Sequence, residues 1–277
     1  MKKTVSRKSW NAELNTDVCT RYINAKLTLT LCLEFRRINP KKGATGTYHD
    51  YGDPTRKSRK IVKWTDAEWL NWKASFVKSS EQFWSQKFWL LNNFSELELD
   101  DGGTKYRPNI DCYFKLKASD ASFFTRSHYT IDVVRLDPSE KFFGSHSRLY
   151  DNLDLNPTVK ARDSAGGAIM QKGGIHEVGH LLGLPHVDVG KAHCPTNANT
   201  NIKPCYGITD KDKSSIMGSG MVLRLKDADP WRLAMTTLLS KGSVTSGSDW
   251  KASKQIHYPR TMNEVAKNIH VTTKITR

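Results

Sequence analysis

One stretch constrains this chain more than any other: His176-Glu177-Val178-Gly179-His180-Leu181-Leu182-Gly183-Leu184-Pro185-His186. On a helix, residues four apart share a face, so His176 and His180 present two imidazoles to one point. Glu177 is turned about 100° around the axis, near enough to serve that point without joining the ligand pair. Gly183 can take a positive φ and end the helix, and Leu184-Pro185 then carry His186 back as a third nitrogen. Three histidines form a zinc ligand set with a fourth coordination position open, which marks catalytic rather than structural zinc. The spacing predicts Zn2+ on His176, His180 and His186, with Glu177 as general base toward a metal-activated water. By chance such a pattern arises in about one chain in ten thousand of this size, or fewer. Three unrelated surface or core histidines are therefore a weak alternative.

The pattern resembles the metzincin clan of zinc endopeptidases, whose histidine motif is followed by a methionine turn. Ser214-Ser215-Ile216-Met217-Gly218 supplies a candidate turn, and the resemblance implies that Met217 forms a hydrophobic floor beneath the ligands. Met221 competes for that place. Some metzincin families put a tyrosine two residues after the methionine as an extra zinc ligand or oxyanion donor. Ser219 stands there instead, so the oxyanion-stabilising group stays unassigned.

With 277 residues, 38% hydrophobic and 26% charged, the chain has the composition of a soluble globular protein of one large domain or two modest ones. No apolar run approaches the roughly 18 residues needed to cross a bilayer. The start, Met1-Lys2-Lys3-Thr4-Val5-Ser6-Arg7-Lys8, lacks the apolar stretch of a cleaved signal peptide. Secretion by a route without such a leader is one expectation, with action in a target-cell periplasm, and a cytoplasmic protein is the alternative.

The net charge of +15 is concentrated at the ends: 14 Lys/Arg face 5 Asp/Glu over residues 1–60, and 7 face 2 over 241–277. Basic ends suggest attraction to an anionic envelope surface, against the plainer reading of solvated tails. No nucleic-acid motif accompanies the charge, which argues against nucleic acid as a partner.

Five cysteines cannot all pair within one chain. Cys194 and Cys205 bracket an Asn- and Pro-rich loop just after His186, and a disulfide there would imply an oxidising place of action. Free thiols, or Cys194 with His193 as a second metal site, are the rival readings. Cys32 and Cys112 fall in apparent strands as small apolar fillers, and Cys19 has no comparable pattern.

Along the chain, Leu27, Leu29, Leu31, Leu33 and Phe35 alternate with polar residues, predicting a half-buried strand from Tyr22 to Phe35. Asn39 to Lys60 lacks periodicity and reads as an exposed excursion. Thr65-Asp66-Ala67-Glu68 forms a capping box with Trp64 and Trp69 as its staple. It opens a helix predicted to run to about Asn93, with Trp69, Trp72, Phe76, Phe83 and Leu90 on its apolar face. Strands follow at Ile110–Lys117 and Tyr129–Val133, with weaker candidates at Phe142–Leu149 and Ala165–Ile169. The resemblance implies that one of these weaker two forms a cleft edge able to pair with an extended peptide. Residues between the histidine motif and Ser214 read as loop. Asp229-Pro230-Trp231 begins a helix ending near Leu239, and the last thirty-odd residues show no period.

The fold expected is α+β and metzincin-like. It has a twisted mixed β-sheet, a long backing helix, an active-site helix, and a small C-terminal subdomain with the Met-turn and a helix. Residues 1–277 are expected as a single catalytic domain, upper subdomain about 1–183 and lower about 184–277, with basic N- and C-terminal extensions. The expected activity is zinc-dependent endopeptidase action on protein or peptide. In the role of a secreted bacterial effector or toxin, it would have an immunity or inhibitor protein as a further partner. A zinc amidase acting on cell-wall peptide cross-links, and a basic binding protein with an inactive metal site, are the alternatives.

Overall fold

The computed structural model describes residues 1–49, 58–121, 126–140, 148–239 and 249–261. The first strands are β1 (Lys2–Ser6), β2 (Asn11–Asn15), β3 (Ala25–Ile38), β4 (Thr45–His49) and β5 (Ser58–Val62), and helix α1 follows (Asp66–Trp84). Next come β6 (Trp89–Leu91), β7 (Leu99–Asp101), β8 (Thr104–Arg107), β9 (Ile110–Asp120), β10 (Tyr129–Val134), β11 (Leu149–Asp151), β12 (Thr158–Arg162) and β13 (Ala168–Gln171). The chain continues through α2 (Gly173–Leu181), α3 (Asp210–Lys213), α4 (Asp229–Leu239), β14 (Lys251–Ser253) and β15 (Arg260–Thr261). The class is mixed α+β: among the described residues an eight-stranded sheet is joined by one three-stranded sheet, two two-stranded sheets and a few helices.

The chain forms two compact units. The first comprises residues 1–30, 84–115 and 228–277, and the second 31–83 and 116–227. In the first unit the strand order is β1-β2-β3-β9-β6-β14. Helix α4 packs Trp231 on Phe88 with ring centroids 5.8 Å apart, and the indole N–H donates to the Tyr113 carbonyl at 2.9 Å. A buried indole that finds an acceptor keeps its apolar burial without an unsatisfied donor.

In the second unit the far half of β3 pairs in parallel with β10, Leu33 opposite Tyr129, and β10 pairs in parallel with β11. Alternation puts Leu31, Leu33 and Phe35 on the buried face. Helix α1 lays its aromatic stripe there: Phe35 lies 6.5 Å from Trp69, 5.2 Å from Trp72 and 5.5 Å from Phe76, each edge to face. The Thr65 hydroxyl accepts the Glu68 amide N–H at 3.2 Å, and the Glu68 carboxylate accepts the Thr65 N–H at 3.1 Å. Trp64 packs on Trp69 at 5.5 Å, so both capping box and staple form.

Several elements differ from the sequence reading. Helix α1 ends at Trp84 rather than near Asn93, and Gln86 turns the chain at φ 56°. Phe88 and Leu90 then bury alternate positions around and within β6, whose Leu90 pairs with Ile110. Their spacing suits either a strand or a helix, and the left-handed turn decides. The excursion at 39–60 holds the β4–β5 ribbon, Thr47 opposite Lys60, whose solvent-facing positions give no apolar period. Ile61 at its end joins Val134, Leu136 and Leu149 in a small core cluster. Of the Phe142–Leu149 candidate, residues 142–147 lie outside the described residues, and the strand that is described starts at Leu149. The Ala165–Ile169 candidate lies at 168–171, in a two-stranded sheet with β12. The polar C-terminal stretch pairs twice, β14 on β6 and β15 on β8, with Trp250 buried beside them.

Candidate metal centre

Strand β13 leads through Lys172 directly into α2, so Gln171 and His176 come from one continuous piece of chain. The start of α2 is held by the Gly174 N–H donating to the Asp154 carbonyl at 3.1 Å. Its end is held by the Tyr129 hydroxyl donating to the Leu181 carbonyl at 3.1 Å. The helix stops in a Schellman motif: Leu184 N–H donates to Gly179 O at 3.0 Å and Gly183 N–H to His180 O at 2.9 Å. Gly183 sits at φ 97°, a backbone state that a Cβ would strain. The turn carries His186 back onto the His176–His180 face.

The three imidazoles converge. His180 Nε2 lies 3.1 Å from His176 Nε2 and 3.0 Å from His186 Nε2. The opposite ring nitrogens all meet backbone carbonyls: His176 Nδ1 meets Ile216 O at 2.6 Å, His180 Nδ1 meets Leu184 O at 2.8 Å, and His186 Nδ1 meets Thr200 O at 2.7 Å. A carbonyl only accepts, so each Nδ1 carries the proton and each Nε2 keeps its lone pair. Such hydrogen bonds fix tautomer and ring orientation in metal-ligating histidines. Burial pushes the His176 pKa well below the usual imidazole value and lowers that of His180. His186 is brought down to about 4 by burial and by the neighbouring His180. Neutral rings are the form that binds a metal. His176, His180 and His186 could together hold a metal ion.

Glu177 is buried at 8% exposure and lines one cavity with His176. Burial first, then the Asp154 charge, raise its pKa well above the carboxylate range, while Lys160 pulls the other way. Asp151 is pushed up to about 8 by burial and by Asp154. The result is a buried acidic group, Glu177, Asp154 and Asp151, with Lys160 as the cation among them.

Met217 is 2% exposed, and its carbonyl accepts the Val187 N–H at 2.8 Å, next to His186. The preceding residue, Ile216, holds His176, so this turn is tied to two of the three histidines. Gly218 is required by close approach: a Cβ there would lie 2.7 Å from the Tyr206 carbonyl and closer still to that of Asp212. Met221 is half-buried and its Sδ accepts the Lys172 N–H at 3.3 Å, while Ser219 lines the cavity.

Cys194 and Cys205 form a disulfide with Cα atoms 5.2 Å apart, closing the loop that carries Thr200. His193 pairs instead with Asp188 at 2.8 Å, so it and Cys194 do not form a second metal site. Cys19, Cys32 and Cys112 are free.

Comparison of the chain with protein-family models, with curated proteins and with solved structures finds no match. The site therefore stands on its own geometry.

Two residues of that site escape the sequence reading. Gln171, 3% exposed, places its Nε2 3.1 Å from each of the carbonyls of Ile216, Gly218 and Gly220, organising the turn around Met217. Tyr206 lays its ring on His186 at 3.8 Å between centroids and stacks at 6.0 Å on His176. Burial and the Glu177 charge push its hydroxyl pKa up to about 12, so it stays a donor. Neither residue has a local spacing that marks it. Tyr206 follows Cys205, and that adjacency to the bracketed loop is the only hint in the chain.

Proposed function

We propose that this chain is a zinc-dependent metalloendopeptidase of metzincin type. The observation that carries the reading is the convergence of three Nε2 atoms, each oriented by a carbonyl on Nδ1, beside a cavity that also holds Glu177. The donor set suits zinc: Zn–N distances of roughly 2.0–2.1 Å in a tetrahedron separate the nitrogens by about 3.3 Å, close to the spacings here. All-imidazole ligation with an open position is the catalytic form of that ion.

When bound, the ion supplies Lewis-acid polarisation of the scissile carbonyl and lowers the pKa of water. Glu177 takes the proton from the attacking water and returns it to the leaving amine. Its buried setting raises the carboxylate's affinity for that proton, as a shuttle requires. Buried Met217 would serve as the floor beneath the ligands, as the metzincin resemblance implies, and the Tyr206 face holds the His186 ring in place. The Cys194–Cys205 disulfide supports work in an oxidising compartment, in keeping with a secreted effector. Among the described residues no helix is long and apolar enough to cross a membrane.

The test is mass-spectrometric mapping of cuts in a proteome-derived peptide mixture by zinc-loaded protein, with and without chelator, beside Glu177→Ala. Chelator-sensitive cutting that falls roughly 10²–10⁴-fold in the variant, with zinc content kept, is expected. Equal cutting by the variant would refute the role of Glu177.

A further inference from the structure

The cavity lined by His176 and Glu177 has a volume of about 270 Å³. This is below the roughly 300–1,000 Å³ of sites that enclose whole small molecules, and it suits one side chain. Its wall is strongly one-signed: Lys160 comes from β12, Lys203 from the turn at Lys203–Tyr206, and Lys213 from the end of α3, against Glu177 as the one lining carboxylate.

The three ammonium groups differ in how they are balanced. Lys213 Nζ lies 3.4 Å from Asp210 and donates to the Arg162 carbonyl at 3.3 Å, which fixes it in place. Lys160 sits among Asp154, Glu177 and Asp151, and burial lowers its pKa. Lys203 is exposed and, among the described residues, in no ion pair. Of the carboxylates that balance Lys160 and Lys213, Asp151, Asp154 and Asp210 do not line the cavity, whereas all three lysines do.

We propose that this cavity is a carboxylate subsite, which makes the enzyme select substrates with an aspartate or glutamate side chain, or a terminal carboxylate, next to the cut bond. The inference rests on the peptidase reading for its consequence in turnover, but not for binding. Opposite charges at about 4 Å in a partly buried site interact far more strongly than in bulk water, and like charge repels a basic side chain from the same space. Selection then comes from attraction and exclusion together.

The experiment uses fluorescent peptides identical except for Glu, Gln or Lys at one position flanking the bond. It measures kcat/KM on zinc-loaded protein and, separately, equilibrium binding to metal-free protein by anisotropy. In both, the Glu peptide is expected to be favoured at least tenfold over Gln, with Lys worst. Lys203→Glu, an exposed position that should not disturb folding, is expected to erase or invert that order. Cutting without a Glu-over-Gln preference overturns the subsite while leaving the peptidase reading standing. If no peptide is cut, the peptidase reading fails and the binding arm decides alone. A tenfold Glu preference lost in Lys203→Glu then upholds the subsite, and equal affinities overturn it.

Discussion

The Nδ1 atom of His186 donates to the carbonyl of Thr200 at 2.7 Å, inside the loop that the Cys194–Cys205 disulfide closes. The third ligand is thus oriented by a peptide group whose position depends on a covalent cross-link 11 residues in separation. Helix geometry orients His180 through its own C-terminal turn, at Leu184. His186 has no such local support.

Opening that cross-link should therefore weaken metal binding as well as folding. Replacing both Cys194 and Cys205 by alanine is expected to cost about 3 kcal/mol by the loop-entropy relation. Loss of the Thr200 brace should weaken zinc affinity by roughly 10–100-fold. Thermal unfolding and competitive zinc titration check both numbers. Lower stability with undiminished affinity would show that Thr200 holds its place without the disulfide.

Gln171 spans the carbonyls of Ile216, Gly218 and Gly220 from the strand that enters α2. Its amide has two donors, so removing it leaves buried acceptors unpaired at about 1–3 kcal/mol. Gln171→Ala should lower the melting temperature and, because Ile216 O orients His176, also weaken zinc. Gln171→Glu should be worse, since it sets a carboxylate against three carbonyl oxygens. A glutamate variant as stable as the wild type would remove Gln171 from this account.

His128 gives a pH dependence away from the metal. Its Nδ1 accepts the Cys32 N–H at 2.8 Å, and burial lowers its pKa. Between that lowered value and the unfolded value of about 6.5, the unfolded chain binds the proton and the folded chain does not. Stability is therefore lost as pH falls below about 6.5. His128→Asn keeps an acceptor that does not titrate. Relative to this variant, wild type should lose stability on acidification in denaturant titrations run at successive pH values. Parallel pH profiles would contradict the assignment.

Part of this was legible in the chain. His176, Glu177, His180, Gly183 and His186 lie within 11 consecutive residues, so one helix and the glycine turn that ends it bring them together. Period-two burial likewise marked the core of β3, and the capping box marked the start of α1. The end of α1 was not legible, because Phe88 and Leu90 fit both periods and Gln86 in a left-handed turn has no sequence signature. The β4–β5 ribbon and β14 are held by backbone pairing with few buried side chains, so no pattern announces them. At the site, Gln171, Thr200 and Tyr206 act through contacts across 14 to 49 positions of sequence, or by ring stacking on a ligand, which spacing rules do not reach.

The central claim is one divalent ion on three Nε2 atoms, and X-ray absorption at the zinc edge on stoichiometrically loaded protein tests it most directly. One zinc per chain is expected, with a first shell of nitrogen and oxygen at roughly 2.0–2.1 Å and imidazole scattering from three rings, reduced to two in His186→Ala. A sulfur shell, or zinc retained with unchanged scattering in His186→Ala, would contradict it.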